Sequence, residues 1–129
     1  MKEKEIRGVL YGQDKDEPEI ITIKNNYKEV QKLVGGLIEL VIPEQFDNRD
    51  ERIKGLDFYI NEEGRMIQGF VPNIILNSKL DNYPEWSILI GNIVVLDRDE
   101  EGNFKSIQED RINSVIECLK ELRKELEKN

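Results

Sequence analysis

Histidine is missing altogether from the 129 residues, and cysteine occurs once, at Cys118. The first absence removes the commonest general base, the commonest metal-ligating side chain and every Ser-His or Cys-His nucleophile pair. The second excludes an internal disulfide and fits a reducing cytoplasm. No long apolar run follows the charged start Met1-Lys2-Glu3-Lys4-Glu5-Ile6-Arg7, so neither an ordinary signal peptide nor a membrane span is expected. Glycines are scattered singly apart from Gly35-Gly36, which leaves no Walker loop or dinucleotide fingerprint, and no paired-cysteine metal motif is present. No cofactor and no catalytic residue is expected.

Basic residues are also short. Lys and Arg number 19 against 27 Asp and Glu, for a net charge of −8 and a pI near 4.7. A protein that neutralises phosphates needs clustered cations, so direct binding of nucleic acid is not expected, and neither is a membrane partner. The excess is concentrated: residues 57–105 hold nine acids against four bases, whereas each remaining stretch is nearly balanced. Charged residues at 36% beside hydrophobic residues at 38% describe one folded domain over residues 1–129 with a heavily charged surface. Such a chain buries about two thirds of the surface it exposes when unfolded.

Along the chain, residues 6–11 and 19–24 read as strands of an opening hairpin around the polar loop 13–18. Asn26 before residues 27–34, with Glu29 three positions on and Gly35-Gly36 after, marks a short capped helix. Residues 37–42 read as a strand carrying one charge, Glu39, and residues 44–55 as an exposed loop. Residues 57–60 and 65–68 flank Asn61-Glu62-Glu63-Gly64 as a second hairpin. Residues 87–96 form the longest apolar run, a strand with a bulge or close backbone approach at Gly91, followed by a turn at Asp99-Glu100-Glu101-Gly102. Ser106 with Glu109 resembles a capping box, and Ile112, Val115, Leu119, Leu122 and Leu126 recur at helical spacing. The expected fold is α+β: a mostly antiparallel sheet (1–105) with one short helix, packed by a long C-terminal amphipathic helix (106–128). That helix also keeps a coiled-coil interval, so a homodimer through Leu122 and Leu126 is an alternative to packing on the sheet.

Three features invite a chemical reading. Asp97-Arg98-Asp99-Glu100-Glu101-Gly102 begins like a calcium loop, but its twelfth position is Gln108 and it follows a strand, so a solvated turn is expected. Cys118 lies beside the apolar stripe and reads as a packed thiol. Tyr83, Pro84 and Trp86 precede the main apolar run and either line a pocket for a planar ligand or pack in the core.

The stretches Val30-Gln31-Lys32-Leu33-Val34-Gly35-Gly36-Leu37-Ile38-Glu39, Asn61-Glu62-Glu63-Gly64-Arg65, Pro72-Asn73, and Ile90-Gly91-Asn92-Ile93-Val94-Val95 with Glu101-Gly102-Asn103-Phe104 resemble, in order and spacing, a small family of unknown function. That family is encoded mainly by phages, plasmids and other mobile elements of bacteria. The resemblance runs from about residue 20 to 118; the chain departs from it at Phe70-Val71 and in the longer acidic loop 44–55. It implies origin in such an element and no established activity; small acidic proteins of such elements are often antagonists of host defence, so an antagonist that binds rather than catalyses is expected. One version sequesters a nucleotide-type immune signal, with Arg65, Asn73, Trp86 and Asn92 as ligand-binding residues supplying cation, amides and a stacking ring. The other imitates nucleic acid and blocks a host nuclease or another defence protein, such as a CRISPR or restriction protein, through Glu62, Glu63, Glu100 and Glu101. A structural or regulatory protein of the element is a third reading.

Overall fold

Runs of Ile, Val and aromatic residues form strands because branched and flat side chains pack well on a pleated, half-buried surface. The computed structural model describes residues 4–77 and 87–128. In chain order its elements are β1 (Glu5–Tyr11), β2 (Glu19–Lys24), α1 (Tyr27–Val34), β3 (Ile38–Val41), β4 (Asp57–Asn61), β5 (Pro72–Ile75), β6 (Ile88–Ile90), β7 (Ile93–Arg98), β8 (Phe104–Lys105) and α2 (Ile112–Glu127). The main sheet runs β2-β1-β7-β4-β3, with β8 paired to the end of β7, while β5 and β6 form a separate two-stranded ladder. Every pairing is antiparallel. The fold is thus α+β, with a short helix and a long C-terminal helix packed on sheet. Among the described residues no helix is long and apolar enough to cross a membrane.

The two-residue period of the strands divides the sheet into two apolar faces. Val9, Tyr11, Phe58, Ile60, Ile93 and Val95 point to one, where Ile112, Val115, Cys118 and Leu119 of α2 and Ile74 and Leu89 of the small ladder close over them. Ile6, Tyr59, Val94 and Leu96 point to the other, beneath Val30 and Val34 of α1. Both α1 caps form: Asn26 Oδ1 accepts from Glu29 N at 2.9 Å, and Gly35, at φ +84°, donates to Gln31 O. Burial pushes the Cys118 thiol up to about 12, consistent with a packed rather than a reactive sulfur.

Four expectations are corrected. α2 begins at Ile112, not at Ser106. Ser106 Oγ accepts from Arg7 N at 2.9 Å, Glu109 pairs with the Arg7 guanidinium, and Ile107 N donates to Arg7 O, so the capping chemistry is spent on the edge of β1. Residues 57–60 and 65–68 do not form a hairpin: β4 pairs with β3 and β7, and Gly64–Met66 is a 3-10 turn. There Asn61 Oδ1 accepts from Glu63 N at 2.7 Å and bends the chain away from the sheet. Residues 87–96 make two strands in two sheets, divided at Gly91. Gly91 has φ +85°, and a Cβ there would lie 2.9 Å from the Phe70 ring, so the anticipated close approach is the reason for the break. Residues 44–55 are anchored, with Ile53 buried in the core and Asn48 Nδ2 donating to Leu76 O at 2.6 Å.

Candidate functional site

The sheet order places β3 at an edge, and the chain leaving β4 turns back beside it. Between them and β6 lies a groove of about 320 Å3. Val41, Phe46, Ile60 and Leu89 form its apolar floor, Ile88 and Ile90 one wall, and Glu39, Glu62, Glu63, Arg65 and Met66 its rim. Glu39, Glu62 and Glu63 are exposed, and Met66 is 78% exposed. Arg65 donates from Nη2 to Ile88 O at 2.8 Å, which ties the rim to β6. Three carboxylates therefore share the mouth of an apolar cleft with one guanidinium. Gly64 is buried between them, where a Cβ would come within 3.4 Å of Ile90 O.

Of the four residues expected to hold a nucleotide, Arg65 alone among the described ones reaches this groove. Asn73 is fully buried and committed: its Nδ2 donates to Tyr11 O and Gly91 O, both at 2.8 Å, and its Oδ1 accepts from Arg123 Nη2 at 2.6 Å. The same guanidinium lies 3.6 Å over the Tyr11 ring and also donates to Gly12 O and Lys15 O, joining α2, β5 and the β1–β2 loop. Asn92 accepts from Gln13 N at 2.9 Å and donates to Leu33 O at 3.0 Å. Both asparagines hold turns in place. Trp86, with Tyr83 and Pro84, lies outside the described residues.

The four carboxylates expected to imitate nucleic acid separate as well. β4 and β7 run antiparallel with Asp57 opposite Leu96, so Glu62 and Glu63 leave one end of the sheet while Glu100 and Glu101 leave the other. At that second end Asp99 Oδ1 accepts from Glu101 N and Asn103 N, and these amide bonds hold its carboxyl below the usual range. Its oxygens serve the turn, and among the described residues no group of three or more acidic or thiol side chains is placed to hold a metal. Glu39 was missed as a site residue, although it stood out as the one charge in an apolar strand. Of the dimer candidates, Leu122 packs on the main core and Leu126 is half-buried.

On the opposite face of the sheet, Asp57 is 1% exposed. Its Oδ2 accepts from the Tyr59 hydroxyl at 3.2 Å and lies 3.5 Å from Arg98 Nε, while Oδ1 has no hydrogen-bond partner among the described residues. Burial raises its pKa, and Arg98 only partly offsets that. Tyr59 packs edge-on to Phe104, which in turn packs on Tyr27.

Residues 6–120 match the family described as a domain of unknown function (DUF3846). No curated protein and no solved structure matches the chain.

Proposed function

The chain belongs to this DUF3846 family of unknown function, and from that premise we propose that it is a non-catalytic binding protein whose groove takes a basic, partly apolar segment of another protein. The observation that supports this most is the convergence of Glu39, Glu62 and Glu63 on an apolar floor. A long Lys or Arg stem lies along such a floor while its charged head meets the carboxylates. Among the described lining residues a nucleotide's phosphate would meet three carboxylates and one cation, and two of the side chains suggested for it are bonded elsewhere. The protein-binding version is therefore the stronger of the two antagonist readings, with a basic channel of a host defence protein as its target. Origin in a phage or mobile element is part of the same proposal and comes from the sequence resemblance.

The test is capture of host proteins by the tagged chain at rising salt, beside two charge-reversed forms. Surface attraction is screened over about 8 Å at physiological ionic strength, so a partner held by the groove should be lost as salt rises. Reversal at Glu39, Glu62 and Glu63 should abolish capture, and reversal at Glu100 and Glu101 should not. A nucleotide that stabilises the protein by about 2.7 kcal/mol at a hundredfold excess over its dissociation constant would favour sequestration instead.

A further inference from the structure

We propose that the outer edge of β3 takes up, in antiparallel orientation, an extended strand of the partner in which basic and apolar residues alternate. This rests on the reading of the groove as a site for a basic segment and adds how that segment is held. Glu62 N donates to Leu37 O at 2.8 Å, and the register pairs Glu39 with Ile60 and Val41 with Phe58. Hydrogen-bonded pairs alternate along an antiparallel ladder, so residues 37, 39 and 41 bond inward to β4. The N–H and C=O groups of Ile38 and Leu40 therefore face outward, and β3 has no second neighbour among the described strands. Natural edges are guarded by charge, proline, bulges or a covering segment. β3 carries only Glu39 as a charge, and Leu37 and Leu40 stand 58% and 43% exposed.

The pleat dictates the chemistry of the added strand. Glu39 and Val41 line the groove, whereas Leu40 belongs to the opposite face. Side chains of an added strand continue the same two faces. One set passes over the groove mouth, where basic residues meet Glu39, Glu62 and Glu63. The other set lies beside Leu40, where apolar residues suit. A second copy of the chain fits worse, because antiparallel self-pairing centred on Glu39 sets like charges opposite one another. In an antiparallel addition, the orientation of every pairing in this fold, residues opposite Ile38 and Leu40 share their face and exchange hydrogen bonds with them, so the apolar residues of the incoming strand supply the N–H groups that bond to β3.

The probe is the capped heptapeptide Lys-Val-Lys-Val-Lys-Val-Lys, compared with forms N-methylated at every Val or at every Lys. Binding of the unmodified peptide should protect the Ile38 and Leu40 amides from hydrogen exchange and leave Glu39 and Val41 unchanged. Methylation at Val should weaken binding by about tenfold or more, and methylation at Lys should not. Equal binding of the two methylated forms, without new protection, overturns strand addition and leaves the acidic groove standing. Undiminished binding by E39K/E62K/E63K overturns the groove reading itself, and no binding of the unmodified peptide overturns both. Protection of Ile38 and Leu40 in a dimer of the protein alone overturns the choice of occupant.

Discussion

Asn73 and Asp57 are both buried polar residues, and their surroundings give them opposite effects on stability. Both N–H groups and the carbonyl oxygen of the Asn73 amide are engaged, by Tyr11 O, Gly91 O and Arg123. Asn73→Ala takes a buried donor from each of two carbonyls and one of several acceptors from Arg123, so urea unfolding should show a loss of about 1–3 kcal/mol. Asp57 is the reverse case, a carboxylate with one oxygen that has no hydrogen-bond partner among the described residues. Its folded pKa is raised above its ordinary value of 3.8, chiefly by burial. The folded state then holds the proton more tightly than the unfolded one, so stability is full below the unfolded pKa and is lost as pH rises through the folded value. Asp57→Asn should therefore raise the melting temperature at neutral pH, with the gain disappearing in acid below about pH 4. A loss at neutral pH would show that the contact with Arg98 outweighs desolvation.

Among the elements, Gly91 has the sharpest consequence. It separates two strands that belong to different sheets, with a left-handed backbone and the Phe70 ring against its Cα. Gly91→Ala meets both strain and a clash, and should destabilise by about 1–3 kcal/mol in the same urea experiment. This element also shows what was legible in advance. The apolar run and its interruption were visible, but not that the chain changes sheets there, because strand partners are chosen by distant residues. α1 was legible because its caps are local, from Asn26 and Gly35. The start of α2 was not, since Ser106 and Glu109 have the right spacing for a cap but bond to Arg7 about a hundred residues away. The β1–β2 hairpin was legible from two apolar runs and a polar loop.

At the scale of the described molecule, the two acidic turns lie at opposite ends of the sheet rather than in one acidic face. The concentration of acids in residues 57–105 was readable, yet the sheet sends Glu62 and Glu63 one way and Glu100 and Glu101 the other. Glu39, from a different part of the chain, completes the first group. Linear sequence could not reveal that grouping, because it depends on β3 being the neighbour of β4 at the sheet edge. The same order leaves β3 without an outer neighbour among the described strands. α2 packs Leu122 on the main core, and Leu126, the other leucine considered for a dimer, is half-buried as well. A variant reversed at Glu100 and Glu101 should keep its partner, whereas one reversed at Glu39, Glu62 and Glu63 should not, although each changes the net charge in the same direction.

If the groove is a site for a basic segment, it recognises cationic side chains and not phosphate. Backbone amide shifts of Glu39, Ile60 and Glu62 through Met66 should be followed during two titrations, one with the Lys-Val peptide and one with a panel of linear and cyclic nucleotides. The peptide should move these signals in a saturable way that weakens with salt, and nucleotides should leave them in place. Saturable shifts with a nucleotide and none with the peptide would contradict this reading of the groove.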